Sequence, residues 1–183
     1  MSFADKLSIL RIILIPVFVS FLVYSRHYDH LRYIAVLVFI VAVLTDFFDG
    51  LVARIKKEKS DIGKVLDPLA DKLLLLTAFV SLRVLGFNIP IWVVIIVVSR
   101  DIIILLGIAI LHFLKIEIPI APSLWGKLTT FSQILTILMV MLNSFFPLRL
   151  LKIVWSLAVG FTLISGIGYI SRGISSLSLT DKK

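Results

Sequence analysis

Polar and charged positions divide the chain into six long apolar stretches: Leu7–Tyr24, Tyr33–Val52, Leu66–Leu85, Pro90–Leu114, Leu124–Phe146 and Leu148–Ile170. Each is continuous rather than alternating. Each also approaches or exceeds the roughly 20 helical residues, at about 1.5 Å rise, that cross a hydrocarbon core about 30 Å thick. A barrel strand is about half as long and alternates apolar with polar positions, so the pattern argues against strands. Connections between the stretches are short, and no linker, repeat or low-complexity tract interrupts them. The pattern therefore predicts an all-α integral membrane protein, a six-transmembrane-helix bundle forming a single domain over residues 1–183. The first stretch follows a short polar start without a small-residue cleavage site, so it is expected to be a span rather than a signal peptide. Ser2 to Lys6 are compatible with an interfacial position before that span. Ser175 to Lys183 read as a polar, frayed end.

Composition supports the membrane reading. Of 183 residues, 60% are hydrophobic and the mean hydropathy is +1.10. A soluble domain holds about 45–50% apolar residues, and one this short lacks the interior to hide the excess. With no cysteine, a disulfide scaffold and a cysteine-ligated metal site are both excluded. The net charge of +8 needs no nucleic acid, because basic loops facing an anionic membrane surface account for it. With the N-terminus inside, the cytoplasmic side holds Lys6, Arg11, Arg54, Lys56, Lys57, Lys59, Lys64, Lys115, Lys127, Arg172, Lys182 and Lys183. The opposite side holds Arg26, Arg32, Arg83, Arg149 and Lys152, while Lys72 and Arg100 fall inside spans. This asymmetry predicts both termini in the cytoplasm. Trp92, Trp125 and Trp155 lie toward span ends and read as interfacial anchors.

The acidic residues carry the chemistry. Asp46, Asp49, Asp67 and Asp71 gather at the cytoplasmic ends of the second and third spans. Carboxylates near a membrane interface repel one another unless cations hold them. Asp46, Asp49 and Ala53 are spaced i, i+3 and i+7, one face of a helix, and Asp67 and Asp71 are spaced i and i+4 on the next. The short basic loop between them makes the helices antiparallel neighbours whose acidic faces can meet. Four carboxylates without histidine or cysteine form a hard oxygen site, which selects magnesium, manganese or calcium over zinc or copper. Gly50, Ala53 and Gly63 remove bulk beside the acidic face, and Arg54 adds a planar cation suited to phosphate oxygens. Such parts serve phosphoryl-group displacement. Simpler explanations exist for single residues: Asp67 before Pro68 is a sound helix N-cap, and Asp46 or Asp49 can pair with Arg54 or Lys57. Local capping, however, predicts no acid on the other helix.

The spacing Asp46-x2-Asp49-Gly50-x2-Ala53-Arg54-x8-Gly63-x3-Asp67-x3-Asp71 resembles the signature of the CDP-alcohol phosphotransferase family at all eight fixed positions. At roughly one chance match in fifteen per position, agreement at all of them is on the order of one in a billion. The resemblance implies a cytoplasm-facing site with two divalent metal ions, magnesium or manganese, that binds a CDP-linked lipid. It implies that Asp46, Asp49 and Asp67 hold the metals, with Asp71 as general base and further metal contact. Gly50, Ala53, Arg54 and Gly63 would line the CDP and diphosphate site. A homodimer in a bacterial cell membrane is implied as well.

Within the family the nearest likeness is to bacterial phosphatidylglycerophosphate synthases, whose acceptor is sn-glycerol 3-phosphate. It rests on Ser8-x2-Arg11, on Leu66 to Leu74, and on the stretch from Trp125 through Gly126, Lys127, Thr129 and Thr130 to Ser132 and Gln133. An anionic acceptor needs cations, and Arg100 and Lys127 are the candidates. The expected reaction transfers a phosphatidyl group from CDP-diacylglycerol to glycerol 3-phosphate in phospholipid biosynthesis. Ser99-Arg100-Asp101 looks more like the cardiolipin synthases of the same family, which makes phosphatidylglycerol the alternative acceptor. Intramembrane acids also suit a transporter with an aspartate relay, but the acids cluster at one face rather than forming a path, and no inverted repeat is visible.

Overall fold

The computed structural model describes the backbone of residues 3–56, 61–113 and 124–180, and the side chains of residues 6–45, 69–107 and 124–169. All regular elements among these are helical: α1 (Phe3–Tyr24), α2 (Asp29–Lys56), α3 (Asp61–Val84), α4 (Ile91–Phe113), α5 (Leu124–Met141) and α6 (Leu148–Thr180), with one 3-10 turn at Asn143–Phe145. Every predicted apolar stretch thus yields a helix. By length and composition, Lys6–Tyr24, Leu124–Met141 and Leu148–Tyr169 suffice to cross a membrane. The protein is an integral membrane protein.

Helix ends differ from expectation where local chemistry overrides hydropathy. The fifth helix stops at Met141 rather than Phe146: Asn143–Phe145 form a 3-10 turn, and Pro147 disfavours helical backbone in Phe146 before it. Phe146 is accordingly extended, at φ −122° and ψ 132°. Helix α1 starts at Phe3, α3 starts at Asp61, and α6 continues through the polar residues to Thr180. Pro16 lies inside α1, and the Ser20 hydroxyl donates to the Pro16 carbonyl at 2.8 Å.

The chain forms two compact units, residues 1–87 and 88–183. In the first, α1 packs against both α2 and α3. Phe18 and Leu22 of α1, Ala35, Phe39 and Ala42 of α2, and Ala70, Leu74, Ala78 and Phe79 of α3 are buried at its centre. The Phe18 and Phe39 rings are 5.5 Å apart and tilted. Small residues at these positions let helices approach closely, which is what drives association once lipid removes the hydrophobic incentive. Leu37, Leu44 and Val84 stay exposed, as lipid-facing positions should.

One end of this unit is closed by backbone chemistry. Gly86 takes φ +78°, Phe87 N–H donates to the Leu82 carbonyl and Gly86 N–H to the Arg83 carbonyl. These two bonds form a left-handed helix stop that a residue with Cβ adopts only at a cost. Arg26 Nε donates to the Leu85 carbonyl at 3.2 Å, and the Arg32 guanidinium lies 5.3 Å from the Phe87 ring centre. Two arginines of the predicted outer set therefore have structural work.

In the second unit α6 packs against both α4 and α5. Val93, Val97, Ile104, Ile137, Val140, Leu151, Ala158 and Trp155 are buried. Trp155 is only 5% exposed, so it belongs to the packing rather than to the membrane interface, whereas Trp92 and Trp125 are about half-exposed as expected. Thr129 Oγ1 of α5 donates within its own helix to the Trp125 carbonyl and lies 2.9 Å from the Phe161 carbonyl of α6.

Candidate active site

Residues 46 to 56 complete α2, and residues 61 to 71 begin α3. Helical backbone throughout both segments puts Asp46 and Asp49 one turn apart on α2, and Asp67 and Asp71 one turn apart on α3. The capping explanation for Asp67 does not survive. Helix α3 starts at Asp61 and runs through Asp67 and Pro68, beyond the first turn whose free N–H groups a cap would satisfy. Another reason for that carboxylate is required. Side chains of Asp46, Asp49, Gly50, Ala53, Arg54, Gly63 and Asp67 lie outside the described residues. Asp71 is half-buried, directly after the fully buried Ala70.

The donor set suits a hard divalent ion: four carboxylates, paired at helical spacing on two helices that both pack on α1. Helix α1 contributes a residue that sequence patterning treats as an ordinary cytoplasmic charge. Arg11 is 0% exposed, as is Ser8 one turn before it, and both engage neighbours. A guanidinium is drawn inside apolar packing only where negative or polar partners meet it. Its place at the end of Ser8-x2-Arg11 was the available signal.

The second unit holds the two predicted acceptor-site cations in different settings. Lys127, near the start of α5, is exposed. Arg100, in the middle of α4, is drawn inside, with its side chain 11% exposed. Its Nη1 donates to Asp101 Oδ1 at 2.5 Å and its Nη2 to Ser165 Oγ of α6 at 2.6 Å. Asp101 is 1% exposed. Arg100 Nε is buried without a hydrogen-bond partner, and so are the Tyr169 hydroxyl and both polar atoms of the Gln133 amide. Thr129, Ser132, Gln133 and Thr136 repeat at i, i+3, i+4 and i+7 and are all buried, so α5 buries a polar stripe. Ser165 is the residue that the sequence did not single out. Serine in an apolar helix is common enough to carry no signal until the fold brings it to Arg100.

Known proteins show the same chain pattern. The family profile described as CDP-alcohol phosphatidyltransferase matches residues 1–164. A protein of Mycobacterium tuberculosis (strain H37Rv) named "Probable phosphatidylglycerophosphate synthase" is 34% identical over 179 residues, covering 96% of this chain and 83% of that one. The CDP-diacylglycerol–glycerol-3-phosphate 3-phosphatidyltransferase of Bacillus subtilis (strain 168) is 30% identical, with 97% of each chain covered. The protein of that name from Haemophilus influenzae is 32% identical, covering 93% of this chain and 92% of its own.

Proposed function

The chain belongs to the CDP-alcohol phosphatidyltransferase family, and on that premise we propose that it transfers a phosphatidyl group from CDP-diacylglycerol to sn-glycerol 3-phosphate, giving phosphatidylglycerophosphate and CMP. The observation that carries this reading is the pair of acid-bearing helices: Asp46 and Asp49 one turn apart on α2, Asp67 and Asp71 one turn apart on α3. Full-length relatives named for that reaction support the choice of acceptor.

The family generally works with divalent metals, and Asp46, Asp49, Asp67 and Asp71 would hold them, magnesium or manganese by donor chemistry. Ions bound there supply neutralisation of the diphosphate and of the departing CMP. The residues of the chain do the rest. Arg54 binds phosphate oxygens with its planar fork, and Gly50, Ala53 and Gly63 leave room for the nucleotide. Asp71 takes the proton of the acceptor hydroxyl as that oxygen bonds to the phosphorus carrying the diacylglycerol oxygen. The bond from that phosphorus to the CMP oxygen breaks in the same displacement. Arg100 and Lys127 bind the anionic group of the acceptor. Six spans, cytoplasmic termini, a cytoplasm-facing site in a bacterial membrane and a homodimer complete the proposal.

Purified protein in mixed micelles with CDP-diacylglycerol and magnesium tests it. CMP release should depend on glycerol 3-phosphate and yield phosphatidylglycerophosphate. Release with phosphatidylglycerol or inositol phosphate, but not with glycerol 3-phosphate, overturns the acceptor assignment.

A further inference from the structure

The Arg100 guanidinium is held from two sides. Asp101, its neighbour in sequence, accepts from Nη1, and Ser165, 65 positions later on α6, accepts from Nη2 at 2.6 Å. A Cβ built on Gly166 would meet Arg100 Cγ at 3.4 Å, and one on Gly107 would meet the Tyr169 ring at 3.6 Å. Both are ordinary van der Waals distances, so α6 passes directly beside the arginine stem. Nε is left buried and without a partner, although an unpaired buried donor is costly.

We propose that Ser165 is a positioning residue: its hydroxyl fixes the rotation of the Arg100 guanidinium, so that the plane of the fork is set for an oxygen of an anionic acceptor. The proposal rests on the acceptor role assigned to Arg100 above. Asp101 alone leaves the guanidinium free to swing about the bond it shares with Nη1. A second anchor from another helix removes that freedom, and a planar fork binds phosphate well only when its plane is set. Ser165 itself does not touch the acceptor.

Steady-state kinetics of Ser165→Ala and Ser165→Thr, each in the full chain with magnesium, test this. Ser165→Ala should raise the KM for glycerol 3-phosphate about tenfold, the scale of one hydrogen bond to a charged group. The KM for CDP-diacylglycerol should stay within about twofold, and Ser165→Thr, which keeps the hydroxyl, should recover most of the loss. In an Arg100→Gln background Ser165→Ala should add nothing, because the group it positions is gone. An unchanged glycerol 3-phosphate KM in Ser165→Ala overturns the proposal, as does an equal rise for both substrates or a Ser165→Thr variant as impaired as Ser165→Ala. If Arg100→Gln by itself leaves the glycerol 3-phosphate KM unchanged, the acceptor reading of Arg100 fails first, and the Ser165 proposal falls with it. If Arg100→Gln raises that KM while Ser165→Ala does not, only the Ser165 proposal fails.

Discussion

Arg11 in residues 1–87 and Arg100 in residues 88–183 are both drawn into apolar helix packing, but they keep different company. Arg11 sits on α1, and the two helices packed against α1 carry Asp46, Asp49, Asp67 and Asp71. Arg100 sits on α4, with its carboxylate next door at Asp101 and a hydroxyl from α6. The first unit gathers carboxylates, the donors of a hard cation. The second gathers N–H and O–H groups beside one balanced ion pair, which are the partners of an anion. The contrast teaches a division of labour: substitutions in the first unit should strike turnover, and substitutions around Arg100 should strike acceptor affinity.

The largest expected effect is on turnover. Asp71→Asn should lower transfer by at least about a hundredfold, the usual scale for losing a general base, while the protein elutes normally and keeps its helix content. Near-normal turnover would remove Asp71 as the base and leave the first unit without its assigned role.

A smaller effect should separate binding from stability in the second unit. Arg100→Gln strips the cation from a buried Asp101, which costs about 3–5 kcal/mol in comparable pairs, and should raise the KM for glycerol 3-phosphate about tenfold. Adding Asp101→Asn removes the stranded charge. The double variant should regain thermal stability in detergent yet keep the high KM. Recovery of both would make Arg100 purely structural and dissolve the contrast between the units.

The smallest effects concern backbone alone. Gly86→Ala forces a Cβ into φ +78° and should cost about 1 kcal/mol. Gly160→Ala, with nothing within 4 Å of its Cβ, should gain up to about 1 kcal/mol of helix propensity. Melting midpoints should move in opposite directions, with both KM values unchanged; a shift in either KM would tie these glycines to the site.

Run length made the helices legible, because a bilayer demands about 20 apolar residues wherever the chain crosses it. Their ends were less legible, since turn chemistry at Phe146–Pro147 and the left-handed stop at Gly86 act over single residues that a hydropathy window averages away. Of the candidate site, the acidic spacing was open to view because Asp46 with Asp49, and Asp67 with Asp71, each lie on one helix. Trp155 misled: its place along the chain suggests the interface, but packing around α6 buries it.

What the amino-acid order determined by itself is therefore everything that repeats with the pitch of a helix or the thickness of a membrane: all-helical architecture, residence in lipid, and two acid pairs each spaced one helical turn apart. What tertiary structure decided is which groups from distant segments share a buried space. Arg11 becomes an interior charge because α1 is the helix on which α2 and α3 pack, and Arg100 acquires Ser165 because α6 returns to α4 at Gly166. Neither relation has a period along the chain. In a low-dielectric interior a charge is kept only where its partners converge, and that convergence exists only once the helices have packed.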